Sequence, residues 1–356
     1  MFGEPLSIEE LHLAEPQSGQ IQVQVLASAI CHSDIHFFDN AWGGKLPAVW
    51  GHEAAGVVEK VGPDVSGIGV GDHVVLTLIK SCGQCRNCTS GASVACVGET
   101  PQHGTPLSDA DGNPVAHGLG TAAFAERAIV DQSQAVVIAP DMAMEPASLL
   151  ACGVITGVGA ARNTAKIEPG STVVVIGTGG VGLNAVQGAR LAGATTIIAV
   201  DLSDDKLAAA RSFGATDVIN SSTEQLDVRV GEITNGAMAD YVLVTVGARQ
   251  PIEEAPSLLA ANGTAVIVGM PATGVTTTID PVTMAALNQS LLGSKMGQAS
   301  IQNDIPDLIA AYRTGDLLLD ELITKTYTLD EINEAIDAAK NGSAVRNIIV
   351  FEQGTN

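Results

Sequence analysis

Thr172-Val-Val-Val-Ile176, followed at once by Gly177-Thr-Gly179-Gly180-Val181-Gly182, decides how this chain folds. An unbroken run of β-branched residues reads as a strand buried on both faces, the kind found in parallel sheets covered by helices. The turn after it has the GxGxxG spacing, and the residues from Gly180 to Leu191 read as a helix. Gly177 permits the tight turn, Gly179 lets backbone approach a pyrophosphate and Gly182 allows close helix packing, while the helix N-terminus faces the anion. Asp201 ends the next apolar run, about 20 residues on, where a carboxylate accepts from an adenosine ribose and repels a 2′-phosphate. The pattern implies a dinucleotide-binding unit that takes NAD rather than NADP. A competing reading, Asp201 as the cap of a helix over 203–213, stays open beside it.

Outward from this turn, strands are expected at 196–200, 217–219, 241–246 and 265–268, alternating with helical stretches as in βαβ units. Before Ala147 the style differs, with short strands at 21–27, 54–61 and 73–79 separated by Gly and Pro punctuation, so this part reads as mostly β. After Gly293 come helical patterns at 301–314 and 329–340 and a last strand at 347–351. A length of 356 residues suggests two domains. With 46% hydrophobic and 16% charged residues, burial is ample and disorder is excluded. The net charge of −22 with 17 scattered basic residues argues against nucleic acid or an acidic membrane as partner. No uninterrupted apolar stretch reaches the roughly 18–20 residues that span a bilayer, so no membrane partner is expected. Met1 to Glu10 has no charged and then apolar leader, which points to a reducing, cytoplasmic location.

The six cysteines divide into four in one loop, Cys82, Cys85, Cys88 and Cys96, and two far apart, Cys31 and Cys152. CxxCxxC followed by a fourth cysteine suits a closed, four-thiolate structural zinc. Disulfides are disfavoured by the spacing and by the missing leader. The isolated pair, taken alone, reads more readily as small buried hydrophobes. Gly51-His52-Glu53 supplies the missing imidazole, and two thiolates with one histidine leave an open position for chemistry.

Taken together, Cys31-His32-Ser33-Asp34-Ile35-His36, Gly51-His52-Glu53 with Gly56 and Gly62, Gly71-Asp72-His73-Val74, the four-cysteine loop, Cys152-Gly153 and the glycine turn resemble the zinc-dependent medium-chain alcohol dehydrogenases. The resemblance runs from Gly19 to Phe351. It implies an α/β chain with a GroES-like, mostly β catalytic domain over 1–153 and 297–356, and a doubly wound, parallel-sheet Rossmann domain over 154–296. It also implies two zinc ions per chain and NAD. Cys31, His52 and Cys152 match the catalytic zinc ligands, a two-cysteine, one-histidine set already established for alcohol dehydrogenase.

Further matches follow position by position. Glu53 matches an acid that approaches the metal transiently, and Asp34 a partner orienting His52. Ser33 matches the hydroxyl receiving the alcohol proton, and His36 the base ending a proton relay, a task for which histidine is suited near neutral pH. Thr156 and the stretch Val268-Gly269-Met270 match contacts to the nicotinamide, Lys206 the turn at the adenosine ribose, and Arg346 a pyrophosphate ligand. At His32 many relatives carry arginine, so looser cofactor binding is expected. Trp42, Leu78, Phe124 and Met296 are expected to line an apolar substrate pocket. At Met1 to Pro5 the family has a further strand, so an upstream start or a remodelled sheet edge is expected.

The expected reaction is reversible hydride transfer between a primary or secondary alcohol and the nicotinamide, with the alcohol or carbonyl compound as partner. A formaldehyde dehydrogenase acting on a thiol adduct is an alternative, which Trp42 disfavours because that branch tends to use an acid there. A permanently held nicotinamide is another. A non-catalytic zinc and nucleotide binder is opposed by the complete ligand set and by Ser33 with His36. Assembly into a homodimer through 290–294, or a homotetramer, is expected from the family.

Overall fold

Residues 1–100 and 103–352 are described by the computed structural model. They form two units, Met1–Cys152 with Ser300–Tyr312 and Leu319–Asn356, and Gly153–Ala299 with Arg313–Leu318. The short stretch Arg313–Leu318, expected in the catalytic domain, packs into the second unit. The Gln187 side chain grips both backbone groups of Leu318, donating to its carbonyl at 3.0 Å and accepting from its N–H at 2.7 Å, and the Arg190 guanidinium donates to the Asp316 carbonyl.

The second unit holds a six-stranded parallel sheet in the order Asp217–Asn220, Thr196–Asp201, Thr172–Ile176, Ala239–Val244, Leu259–Ile267 and Ser290–Gly293. This is the doubly wound order, in which the first strand lies centrally and its neighbours grow outward on both sides. Thr172–Ile176 is central because its run is apolar throughout, and Val173, Val174 and Val175 are all fully buried. The strand expected at 265–268 is longer, Leu259–Ile267, since its first half pairs past an irregularity opposite Ala239–Tyr241.

In the first unit a mixed sheet of seven strands runs through Ile323–Tyr327, Arg346–Val350, Gln20–Ala29, Glu53–Val61, His73–Leu76 and Ala135–Ile138, with Arg127–Asp131 paired to Gln20–Ala29. A four-stranded sheet of short pieces, His12–Leu13, Leu107–Ser108, Pro114–His117 and Ala48–Val49, was not foreseen. Register decides what happens at one end of the larger sheet. Ala29 lies opposite both Glu53 and Ile348, so Cys31, His52 and Arg346 follow or precede three adjacent strand ends.

One helix, Met144–Ala165, is long and apolar enough to cross a membrane by length and composition, with mean hydropathy 1.4 over its most apolar window. Glycines, Thr156 and Arg162 interrupt the apolar run and hid it. It is a core helix, with 89% of its most apolar window buried inside the chain. Its glycines allow close packing: a Cβ on Gly157 would lie 2.3 Å from the Val181 carbonyl, and one on Gly159 2.6 Å from that of Gly297. Cys152 sits in a π-helical stretch, Leu150–Val154, of the kind often found at functional positions.

Candidate active site

Cys31 lies two residues beyond the strand Gln20–Ala29 and caps the helix His32–Phe38, its sulfur accepting from the Ser33 N–H at 3.5 Å. The Asp34 carboxylate reaches back to the Cys31 N–H at 3.3 Å, accepts from Gly51 N–H at 2.9 Å and meets His52 Nδ1 at 3.0 Å. Gly51 has φ +93, and a Cβ there would lie 2.5 Å from the Phe124 nitrogen, so only glycine turns the chain into His52. With Nδ1 tied to Asp34, His52 Nε2 is left buried and without a hydrogen-bond partner. An orphaned ring nitrogen is costly in an interior unless a cation meets it.

The ligand atoms of Cys31, His52, Glu53 and Cys152 all lie within 4.8 Å of one another, and all four residues are buried. Burial opposes a charged His52, yet the Asp34 carboxylate holds the imidazole well above its usual range. The Cys152 thiol as hydrogen-bond partner holds Cys31 well below the usual thiol value against burial, while Cys152 itself is pushed well above it. One negative charge is thus shared between two sulfurs, and a divalent cation would let both be thiolates. The donor set, two sulfurs and an orphaned imidazole nitrogen, fits zinc.

Glu53 is raised to about 7 by burial, opposed by Arg346, with which it forms a buried ion pair. The Arg346 guanidinium is 5% exposed and donates from one terminal nitrogen to Glu53, because Arg346 begins the strand beside the one that ends two residues before Cys31. Ser33 and His36 lie half-buried on the same helix, the His36 ring 4.6 Å from that of Trp42, and His32 is exposed. Trp42 is also edge-on to Phe37 at 5.5 Å. Leu78 is half-buried. Phe124, 8% exposed, packs with Ile30, Ile35, Phe38 and Trp50, and its backbone lies against Gly51.

The four-cysteine loop closes as expected. Sulfurs lie 3.5 Å (Cys85–Cys88), 3.9 Å (Cys82–Cys88) and 4.0 Å (Cys85–Cys96) apart, against about 3.8 Å for thiolates on a tetrahedral zinc. Backbone N–H groups of Cys82, Gln84 and Cys85 point at the sulfurs of Cys96 and Cys82, at 3.3, 3.5 and 3.3 Å. Backbone N–H donors bring Cys85 down to about 5, while burial pushes Cys88 up to about 12. Gly98 was missed by sequence reading. A Cβ there would fall 2.3 Å from Cys82 Sγ. No disulfide joins any of the six cysteines.

In the second unit the glycines divide their tasks. Gly177 has φ +91, and a Cβ on Gly182 would lie 1.8 Å from the Gly177 carbonyl oxygen. Gly179, the cap of helix Gly180–Leu191, has no atom within 4 Å of its would-be Cβ, so the protein itself does not demand glycine there. That open cradle fits a pyrophosphate. Asp201 accepts from Thr178 and from Leu202 and Ser203. Helix Asp204–Ser212 has Ser203 as its cap, so Asp201 is not the cap residue, although it steadies the turn. Lys206 lies in the first turn of that helix. The Thr156 hydroxyl donates to the sulfur of buried Met296 at 3.5 Å, Val268 is buried, and Met270 is exposed.

Residues 17–141 match the family described as alcohol dehydrogenase GroES-like domain, and residues 180–313 that described as zinc-binding dehydrogenase. An NDMA-dependent alcohol dehydrogenase of Amycolatopsis methanolica is 38% identical over 98% of this chain and 96% of its own. A zinc-binding-domain alcohol dehydrogenase from Burkholderia ambifaria is similar in structure, with TM-score 0.94 and 34% identity over 99% of this chain and 96% of that one. Benzyl alcohol dehydrogenase from Acinetobacter calcoaceticus has TM-score 0.89 and 34% identity over 96% and 94%.

Proposed function

The chain belongs to the zinc-dependent medium-chain alcohol dehydrogenases, and we propose that it interconverts a primary or secondary alcohol and its carbonyl with NAD, using two zinc ions per chain. The observation that carries the reading is the buried set Cys31, His52 and Cys152 with an orphaned His52 Nε2. Held there, zinc would supply Lewis acidity toward an alcohol oxygen, and a nicotinamide held at the glycine turn would supply the hydride acceptor. Asp34 takes the Nδ1 proton of His52 as a hydrogen bond, which fixes the tautomer and turns the Nε2 lone pair inward. Ser33 accepts the alcohol proton, and His36, held against Trp42, passes it outward. Cys82, Cys85, Cys88 and Cys96 hold the second zinc, which has no open position.

Asp201 supports NAD over NADP. Trp42, Leu78, Phe124 and Met296 are the proposed apolar lining for the alcohol, and His32, Thr156, Lys206, Val268, Met270 and Arg346 the proposed cofactor contacts. A second copy of the chain pairs along Ser290–Gly293, an edge of the six-stranded order, near which Met270, Val275, Val282 and Leu292 are exposed. The reduced cysteines suit a cytoplasmic location. An alcohol and carbonyl panel with NAD and NADP, run beside metal analysis, tests the whole reading, and one zinc or none per chain overturns it. The NDMA dependence named for the Amycolatopsis relative favours testing a second reading, a nicotinamide retained through turnover. Cofactor that co-elutes with the protein on gel filtration would support that second reading.

A further inference from the structure

Asp201 does not stand alone at the end of its strand. Thr178, the variable residue between the first two glycines of the turn, is 1% exposed, so its hydroxyl must be satisfied inside the protein. It is satisfied by Asp201. The Thr178 hydroxyl donates to Oδ2 at 2.9 Å and its backbone N–H to the same oxygen at 2.8 Å. The other oxygen, Oδ1, accepts from Leu202 N–H at 2.8 Å and Ser203 N–H at 3.3 Å. Two protein donors thus meet each carboxylate oxygen, the Ser203 N–H being the most distant of the four. Thr178 is the one side-chain donor in this set among the described residues.

An aspartate at a strand end can ordinarily turn its carboxylate away from an unwelcome anion at the small cost of a rotamer change. Here the hydroxyl and three N–H groups hold it from both sides. We propose that Thr178 is a positioning residue that sets cofactor choice: by pinning Asp201 it keeps the carboxylate in place for the ribose diol and prevents it from yielding to a 2′-phosphate. The inference rests on the reading of Asp201 as the NAD-selecting acid. It assigns the discrimination to the Thr178–Asp201 pair, where the acid alone would otherwise be credited. The backbone N–H of Thr178 remains in any variant, so the side chain can be tested separately from the turn.

The test is direct titration of the zinc-loaded protein with NADH and NADPH, followed by nicotinamide fluorescence, which needs no turnover. Wild type is expected to bind NADH the more tightly. Thr178→Val keeps the shape and removes the hydroxyl; it should raise the NADH Kd about tenfold, leave or lower the NADPH Kd, and narrow the preference about tenfold. Thr178→Ser should restore the preference. Thr178→Ala, which introduces no new contact, carries the same expectation should the valine variant fail to fold. Equal weakening toward both cofactors, or an unchanged ratio in a protein that prefers NADH, overturns the role of Thr178. A wild type that prefers NADPH overturns instead the reading of Asp201 on which it rests.

Discussion

Gly98→Ala tests the four-cysteine lobe at its tightest point. The added Cβ would stand 2.3 Å from Cys82 Sγ and 3.1 Å from Cys82 Cβ, whereas ordinary contact begins near 3.4 Å, so sulfur and Cβ must separate by about 1.1 Å. The backbone of Gly98 is not left-handed, so alanine brings no strain of its own. Ligand distances around a metal tolerate only about 0.2 Å, and the sulfur cannot absorb the displacement alone. The segment carrying residue 98 must move, at the ~1–3 kcal/mol typical of overpacking. A structural zinc contributes ~10–16 kcal/mol in small zinc domains, so the metal wins and stays bound. Its affinity nevertheless falls about ten- to a hundredfold. Two zinc ions per chain are therefore expected after purification. On titration with a chelator, one of them leaves at a lower concentration than in wild type, before dehydrogenase activity declines. Release at the same chelator concentration in both proteins refutes the contact-based reasoning.

Asp34→Asn removes the charge behind His52 and should weaken the catalytic zinc about ten- to a hundredfold while leaving the lobe zinc untouched, which chelator competition scored by activity resolves. Gly179→Ala and Gly182→Ala should separate ligand from fold: the first keeps the cofactor-free unfolding midpoint and loses NADH binding, the second lowers the midpoint itself because its Cβ meets the Gly177 carbonyl. An NADH affinity intact in Gly179→Ala would contradict the cradle. His36→Gln should depress turnover most below neutral pH, and a pH–rate profile identical to wild type would sink the relay.

What could be read from the sequence is what local chemistry dictates. Thr172–Ile176 was delimited to the residue because an apolar β-branched run ends at a glycine with φ +91. The lobe was legible because all four ligands lie within one loop. The strand expected at 73–79 stops at Leu76, since the Thr77 N–H bonds the Gln134 carbonyl and the Thr77 hydroxyl accepts from Ile79, a turn with no compositional mark. Helix Met144–Ala165 was obscured by glycines whose purpose, close approach to neighbouring backbone, exists only in the fold.

Arg346 shows most clearly where sequence reasoning ends, because its partner Glu53 is 293 residues away and only sheet register brings them together. The pairing has an electrostatic reason. With a divalent cation bound, two thiolates from Cys31 and Cys152 would balance the metal, and the carboxyl groups of Glu53 and Asp34 would remain. Removing a partner from such a pair costs about 3–5 kcal/mol, since an uncompensated buried charge remains. Arg346 supplies the compensation, while the Asp34 carboxylate is met by the N–H groups of Cys31, Gly51 and His52. The end of the sheet can therefore bury a metal, two thiolates, two carboxyl groups and their partners together. Burial still prevails at Glu53, whose carboxyl is raised to about 7 against the opposing Arg346 guanidinium.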